Sequence, residues 1–312
     1  MNKQIFVNLR IFFIMILLIV ISSFLSNRFL TFNNLRNIMR QISVNGILSC
    51  GMTFVMLTGG FDLSVGATIT LTGGFALTLQ PYIGVGGAIF VALLVGALAG
   101  LLNGTILAKI KANSGDAFMI TLGTQFVIIG ISLLTFNARA IPGSREPFYV
   151  ALGTGTIFKV IPVPMFIFAV VALISLFTLS FTAFGRKIYV TGGNYEAARL
   201  SGISVRFYNM IVYVIVGITA AIAAVVLTSR AMGCSSDMGI GYELDAIAAV
   251  IVGGTSTRGG DGSIPRTIIG VIIIGVLSNI LNLIGLNSFN QMLVKGIVII
   301  GAVWLDTKSR NS

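Results

Sequence analysis

The chain is organised around one polar stretch, Thr191-Gly-Gly-Asn-Tyr-Glu-Ala-Ala-Arg-Leu-Ser-Gly-Ile-Ser204. Asparagine is favoured at helix N-caps, so Asn194 can start a short helix. Glu196 then falls in the first turn, where the helix dipole favours an acid, and Gly202 can end the helix. The stretch is therefore either a short capped helix that is offered to a soluble partner or an ordinary loop with one helical turn.

Outside this stretch the chain is strongly apolar. Of its 312 residues, 56% are hydrophobic and only 9% are charged, whereas soluble proteins carry about 25% charged residues. Apolar runs of about 20 residues, the length that crosses a bilayer, recur from end to end. The composition predicts an all-α polytopic membrane protein whose residues 1–312 form one transmembrane domain. The N-terminus resembles a signal peptide but lacks a small-x-small cleavage site, so we interpret it as an uncleaved first span.

About ten transmembrane helices are predicted. They cover residues 11–27, 42–59, 63–80, 83–108, 117–136, 162–184, 209–230, 242–256, 264–286 and 290–306. The eighth is too short to cross alone and is interpreted as a broken or half-crossing helix. An even number of spans places both termini on the same side of the membrane as the loop at 185–208.

The basic residues indicate which side this is. Twelve fall on the side of the termini and eight on the other, so the positive-inside rule assigns both termini to the cytoplasm. The inside residues are Lys3, Arg10, Lys109, Lys111, Arg186, Lys187, Arg199, Arg206, Arg258, Arg266, Lys308 and Arg310. The outside residues are Arg28, Arg36, Arg40, Arg139, Arg145, Lys159, Arg230 and Lys295.

Two outer segments have a character of their own. Residues 27–41 place apolar side chains among arginines and other polar residues, which is typical of an amphipathic helix lying at the membrane interface. Residues 137–161 form the longest outer loop, and we expect this roomy surface to be able to receive a soluble partner.

A four-residue motif predicts an inverted internal repeat. Gly60-Phe-Asp-Leu63 returns as Gly241-Tyr-Glu-Leu244, and another glycine follows thirteen residues after each opening glycine, at Gly73 and Gly254. Five spans separate the two copies, so repeat halves at roughly 42–136 and 209–306 would face opposite ways. Inverted repeats of this kind are typical of transporters.

Further correspondences and small residues support this interpretation. The helix 96–103 matches 275–282, and each ends in an asparagine. Small residues also recur at helical spacing, which lets helix backbones approach closely, either inside one subunit or across a dimer axis. They are Gly96, Gly100 and Gly104 in one helix and Gly66, Thr70 and Gly74 in another. We favour packing inside the subunit.

Acidic side chains at membrane depth are costly to bury, so each is expected to have a structural or functional role. Asp62 and Ser64 stand where the third span begins, and Glu243 and Asp245 stand where the eighth begins. They either cap a broken helix or line the translocation path or its gate. The same two interpretations hold for the two helix-end asparagines, Asn103 and Asn282.

No catalytic, metal or nucleic-acid signature is present. The sequence has no histidine, and Cys50 and Cys234 form no metal or disulfide pattern. Residues 253–260 are glycine-rich but lack the lysine of a phosphate-binding loop. No basic cluster with interleaved aromatics appears, so the charge of +11 is better explained by topology and anionic lipid. We expect no metal or cofactor, and any ATPase that drives the protein must be another chain.

Three motifs resemble a known family. Residues 51–66 (Gly-Met-Thr-Phe-Val-Met-Leu-Thr-Gly-Gly-Phe-Asp-Leu-Ser-Val-Gly), 192–203 and 241–256 are similar to the permease subunits of ribose/xylose/galactose-type ABC importers. The resemblance covers nearly the whole chain and implies a fold similar to that of the cobalamin importers. The loop at 257–266 departs from the family pattern at Arg258, Asp261 and Pro265, so that loop supports no sugar assignment.

The resemblance also implies partners and a coupling site. It implies an ABC ATPase on the cytoplasmic face, a periplasmic or lipoprotein sugar-binding protein, a second permease subunit in a homodimer or a heterodimeric pair, a sugar substrate and the lipid of a bacterial inner membrane. The coupling segment would insert into the ATPase through Asn194, Glu196, Ala197, Ala198, Arg199 and Gly202.

The sequence thus predicts the transmembrane subunit of an ATP-driven monosaccharide importer. Nucleosides, autoinducer-type furanoses and branched-chain amino acids remain alternative solutes for the same kind of permease. An ion-coupled secondary transporter is the alternative of another class, and the lack of histidine and the capped polar helix argue against it.

Overall fold

The fold is that of a computed structural model, which describes the backbone of residues 3–110 and 114–311 and the side chains of 12–110, 115–287, 289–298, 300 and 301. Lys111, which the sequence assigned to the inner side, lies outside the described residues. Only the backbone is described at four further residues of that inner set, namely Lys3, Arg10, Lys308 and Arg310.

The described chain is mostly helical. The helices are α1 (Lys3–Leu25), α2 (Phe32–Leu57), α3 (Val65–Thr78), α4 (Gln80–Ile110), α5 (Ser114–Phe136), α6 (Pro147–Thr154), α7 (Val163–Phe181), α8 (Ala183–Gly193), α9 (Tyr195–Leu200), α10 (Val205–Ala231), α11 (Tyr242–Val252), α12 (Ile264–Leu283) and α13 (Ser288–Asn311). Four two-residue strands, β1 (Ile141–Pro142), β2 (Thr156–Ile157), β3 (Ile161–Pro162) and β4 (Gly233–Cys234), form the antiparallel pairs β1–β4 and β2–β3.

Each predicted span coincides with one helix of the structure: α1–α5, α7 and α10–α13. Among the described residues, five helices are long and apolar enough to cross a membrane, at 80–110, 115–136, 163–181, 205–231 and 264–283. The third and eighth spans are shorter helices, α3 and α11. The polytopic all-helical class is therefore confirmed, while the crossing of all ten spans stays a prediction.

Helix α10 lies at the centre of the fold and packs against α2, α3, α4 and α6. Its contact with α4 brings two backbones together. A Cβ at Gly100 would lie 2.0 Å from the Tyr213 carbonyl oxygen, and one at Gly96 would lie 2.4 Å from the Gly217 oxygen. Since a β-carbon is not tolerated at these distances, the glycines at four-residue spacing serve packing inside the subunit, as predicted.

The outer segment 27–41 is not a separate helix. From Phe32 onward it is the first part of α2, because Asn34 and Ile38 are buried and continue the packing face of that helix. Asn34 and Asn279 of α12 exchange two amide hydrogen bonds at 2.9 and 3.0 Å. This buried pair ties the start of α2 to α12.

The long outer segment 137–161 is also more ordered than a loop. It contains α6, whose Tyr149 is fully buried and hydrogen-bonded to Thr228 of α10 at 2.6 Å. The pairing of β1 with β4 fastens the same segment to the chain that follows α10. Cys234 of β4 and Cys50 of α2 are buried and free of disulfides.

We expect Gly100→Ala to destabilise the protein strongly, because the new methyl group would have to displace the α10 backbone. Overpacking of this kind costs about 1–3 kcal/mol or more. The midpoint of thermal aggregation of the detergent-solubilised protein measures the effect. Gly123→Ala in α5 is the matched control, since its Cβ would meet nothing within 4 Å. Equal midpoints for the two variants would contradict the packing assigned to α4 and α10.

Candidate functional site

Helix α3 begins at a buried carboxylate. Asp62 is 1% exposed and accepts hydrogen bonds from the Ser64 backbone N–H at 2.9 Å and from the Ser64 hydroxyl at 2.6 Å. The N–H of the preceding residue, Leu63, donates to the Thr121 hydroxyl of α5 at 3.2 Å. The Asp62 side chain, not Ser64, therefore provides the cap of this helix start.

Asn103 of α4 completes this polar cluster. Its amide donates to the Ser64 hydroxyl oxygen at 2.8 Å and to the Asp62 carboxylate at 3.3 and 3.4 Å. Tyr213 of α10 approaches from the other side and donates to the Phe61 carbonyl at 3.0 Å. The structure thus brings Asp62, Ser64 and Asn103 together, and side chains of α4, α5 and α10 hold the turn between α2 and α3.

Helix α11 begins at the second acid. Glu243 is buried and accepts the Gly241 N–H at 3.1 Å, where Gly241 has a φ of +90°. Its carboxylate lies against α3, because a Cβ at Gly66 would come within 2.1 Å of the Glu243 Oε2 atom. The Gly239 N–H donates to the Thr70 hydroxyl at 3.1 Å. The chain before α11 therefore runs along α3, and the starts of both short helices are in contact.

Each Gly-aromatic-acid-Leu motif stands at the start of a short helix, the first just before α3 and the second in the N-cap and first turn of α11. They differ beyond that point. Gly73 lies inside α3, whereas Gly254 lies past the end of α11 and has a φ of +85°.

The remaining two candidates lie apart from this cluster. Asp245 forms an ion pair with Lys295 of α13 at 2.7 Å, and the two side chains are 19% and 24% exposed. Asn282 is exposed near the end of α12 and accepts from the Gln291 amide at 2.8 Å. The order of the spans assigned Lys295 to the outer side, within the predicted span 290–306; in the structure it lies within α13 and joins this helix to α11.

The polar stretch of the chain is a helix pair. Helix α8 ends at Gly193, and α9 begins after Asn194, whose side-chain oxygen accepts the Ala197 N–H at 2.9 Å. At the other end Gly202 has a φ of +77°. The Gly202 N–H donates to the Arg199 oxygen and the Ile203 N–H to the Ala198 oxygen, both at 3.0 Å, which is a complete Schellman motif. The predicted N-cap and C-terminal glycine are confirmed, and α8 is an addition to the predicted loop 185–208.

One face of α9 is exposed. Glu196 and Arg199 form an ion pair at 2.9 Å with side chains 65% and 60% exposed, so the pair contributes little to stability. Ala197 and Leu200 are also exposed, Leu200 to 78%. Ala198 is fully buried within the chain. This side chain packs against its own subunit, and its expected contact with a partner stays a prediction.

Helix α8 connects α9 to the body of the protein through Tyr189. Its hydroxyl donates to the Gly262 carbonyl in the loop between α11 and α12 at 2.9 Å. Burial, followed by the nearby negative charge of Asp261, raises the pKa of Tyr189, so the hydroxyl stays protonated. No local sequence pattern predicts this contact, or those of Thr121 and Lys295, because their partners are far away along the chain.

These polar groups hold the helices together and do not form a reactive centre. Among the residues with described side chains, no group of three or more acidic or cysteine side chains could hold a metal ion. A cleft with about 300 Å³ of empty space lies beside the α2–α3 turn and is lined by Thr58, Gly60, Leu107, Asn209 and Tyr213 among others. The arrangement offers hydrogen bonds at membrane depth and an exposed charged helix at one surface.

Comparison with known proteins assigns the chain to a family. A family model described as the permease component of the branched-chain amino acid transport system matches residues 34–303. The chain belongs to this permease family. No solved structure matches it at a significant level.

The permease is also similar to curated proteins over nearly its whole length. It is 41% identical to the ribose import permease protein of Haemophilus influenzae, with 95% of this chain and 92% of the relative covered. It is 37% identical to the D-allose transport system permease protein of Escherichia coli, with 95% and 90% covered. It is 35% identical to the L-arabinose transport system permease protein of Escherichia coli, with 93% and 87% covered.

This membership settles the class of protein. The permease is a multi-pass membrane subunit of an ABC transporter and not an enzyme, and the ATPase of such a system lies in a separate subunit. The family resemblance drawn from the three sequence motifs is confirmed.

We expect Asp62→Leu to impair folding, because it would leave the N–H and the hydroxyl of Ser64 without their acceptor. Each buried donor left unpaired costs about 1–3 kcal/mol. Folded yield in the membrane fraction and thermal stability in detergent measure the loss. Glu146→Leu is the control, since this acid is exposed and caps α6 without a side-chain hydrogen bond. If Asp62→Leu matches the wild type in stability and in uptake, the role given to this helix start is wrong.

Proposed function

We propose that this permease is the transmembrane subunit of an ATP-driven importer of monosaccharides of the ribose type. One observation carries the proposal: the 41% identity to a ribose import permease extends over 95% of the chain. The relatives that act on allose and arabinose have the same full-length coverage, which supports a pentose or hexose as the solute class.

In this proposal α9 is the coupling helix. Glu196, Ala197 and Arg199 point away from the subunit and would contact the ATPase, while Asn194 and Gly202 fix the ends of the helix. Ala198 would hold α9 to its own subunit. A capped, six-residue helix keeps its shape without a long helical body, so it can transmit a displacement imposed by the partner.

The translocation path is proposed to run between two inverted halves, in a fold with ten spans like that of the cobalamin importers. ATP would close a pair of ATPase subunits, the coupling helices would follow, and the halves would move between inward-open and outward-open states. Asp62, Ser64, Asn103 and Glu243 are buried and would hold the helix starts that line this path. Asp245 and Asn282 are more accessible and would meet the polar solute.

The remaining partners follow from the same proposal. Two copies of the permease would form a homodimer in a bacterial inner membrane, with both termini and α9 on the cytoplasmic side. A periplasmic or lipoprotein binding protein would deliver the sugar to the outer face, where the segment containing α6 lies. Specificity would then rest mostly in the binding protein, so the permease needs a polar passage more than a tight site.

Reconstituted transport tests the proposal. Proteoliposomes that contain the permease with the ATPase and binding protein of its own transport system should take up labelled ribose only when ATP is supplied. A panel of pentoses, hexoses, nucleosides, furanoses and branched-chain amino acids identifies the solute class. Uptake of a non-sugar from this panel would overturn the monosaccharide assignment. Uptake that follows an ion gradient without ATP would overturn the importer class.

We expect Glu196→Lys and Gly202→Val to leave the protein inserted but to abolish ATPase stimulation and uptake. The first reverses the charge on the exposed face of α9, and the second places a β-branched residue at a φ of +77°. Gly202→Asn is the matched control, because asparagine tolerates this backbone region and should retain most of the uptake. Normal uptake by Glu196→Lys would remove α9 from the coupling interface.

A further inference from the structure

Three chain segments meet backbone to backbone next to the coupling helix. They are residues 57–59 at the end of α2, Gly192 near the end of α8, and Gly259 with Gly260 in the loop between α11 and α12; we call this contact the glycine junction. A Cβ at Gly192 would lie 1.8 Å from the Leu57 carbonyl oxygen. The same oxygen accepts the Gly260 N–H at 2.9 Å. No side chain separates the three segments.

The geometry of the junction depends on glycine at several positions. Gly59, Gly259 and Gly260 have φ values of +82°, +86° and +73°, a region that other residues rarely adopt. A Cβ at Gly259 would also come within 2.8 Å of the Gly59 nitrogen. Any atom added at these positions must push whole backbone segments apart. The spacing between the three segments therefore cannot change gradually.

Two side-chain bonds reinforce the junction. Tyr189, three residues before Gly192, donates to the Gly262 carbonyl at 2.9 Å and so holds α8 to the α11–α12 loop. Asp261 in that loop forms an ion pair with the largely buried Arg266 of α12 at 3.1 Å. A displacement of α8 thus reaches the loop through a hydrogen bond and reaches α12 through the ion pair.

The segments that leave the junction lead to both short helices. Gly59 lies three residues before Asp62, which caps the start of α3. The loop that contains Gly260 follows directly on α11, whose first turn carries Glu243. The starts of α3 and α11 touch each other at Gly66 and Glu243. A movement applied at Gly192 is therefore delivered to one short helix of each proposed half at the same time.

We propose that the glycine junction transmits the movement of the coupling helix to α3 and α11 together, with Gly192 and Tyr189 as positioning residues for transport. The inference rests on the proposed function of α9. It adds the contacts through which the movement caused by ATP hydrolysis in the partner reaches the translocation path. A junction that only helps α8 to fold would affect stability or ATPase binding but would not change transport per ATP hydrolysed.

The test compares two neighbouring glycines in the complete transporter. Gly192→Ala introduces the methyl group at the junction, whereas a Cβ at Gly193, outside α9 and its caps, meets nothing within 4 Å. We expect Gly192→Ala to bind the ATPase and hydrolyse ATP like the wild type. The sugar transported per ATP should fall roughly fivefold to a hundredfold, the range of coupling measured between distant sites. Gly193→Ala should keep the wild-type ratio.

A milder variant covers the case in which Gly192→Ala does not fold. Tyr189→Phe removes one hydroxyl and one hydrogen bond, so its ratio of sugar to ATP should fall roughly threefold to tenfold with unchanged ATPase binding. Tyr82→Phe is its control, because Tyr82 is 82% exposed on α4. Wild-type ratios in Gly192→Ala or Tyr189→Phe overturn the proposal. Loss of ATPase binding in parallel with transport overturns it as well.

A readout that does not depend on the sugar separates this inference from the proposed function. Leu244→Cys places a thiol at a half-exposed position in the first turn of α11. The two native cysteines are buried. In the complex with the ATPase, a non-hydrolysable ATP analogue should change the labelling rate of this thiol, and Gly192→Ala should abolish the change. If the rate responds although ribose is not transported, only the substrate assignment fails. If the rate does not respond, or responds equally in Gly192→Ala, the junction has no such role.

Discussion

Backbone groups that leave a helix inside a bilayer must find their hydrogen bonds within the protein, because lipid offers none. The two short helices of this permease show how that constraint is met. Asp62 accepts the Ser64 N–H and Thr121 accepts that of Leu63, while Glu243 accepts the Gly241 N–H. The costly acids thus stand where α3 and α11 have free donors. The polar residues at membrane depth and the contacts of α4 and α5 with the α2–α3 turn both follow from these two interruptions.

The close approach of one backbone to another is the second feature on which the fold depends. At Gly66 the missing side chain makes room for the Glu243 carboxylate, and at Gly192 it makes room for a carbonyl oxygen. Such contacts are short because no flexible side chain lies between the partners. In a protein whose spans are mostly surrounded by lipid tails, where burial of apolar surface gives little drive for association, this kind of packing determines which helices stay together.

Local features of the structure could be predicted from the sequence, whereas distant pairings could not. Asn194 and Gly202 define α9 through bonds within a few residues, so their spacing was sufficient. The positions of the apolar helices followed from hydropathy, although α2 begins at Phe32, well before the predicted start at residue 42. By contrast, Asn34 binds Asn279 across 245 positions, and nothing in either neighbourhood indicates the other. The ion pair of Asp245 with Lys295 is of the same kind, since the order of the spans indicated the side of the lysine but not its partner. Ala198 shows the same limit, because its burial depends on how α9 packs against the rest of the subunit.

The seam between α4 and α10 has a mechanical consequence. Glycines on both helices bring carbonyl oxygens and α-carbons into direct contact, with Gly96 and Gly217 each facing the other's backbone. Because such a seam has no rotamers to rearrange, the two helices can neither slide nor tilt independently without breaking it. They form a rigid body, and the turns that precede α3 and α11 lie outside it. The permease thus combines one stiff pair, made of its two longest helices, with two short helices that begin at buried acids.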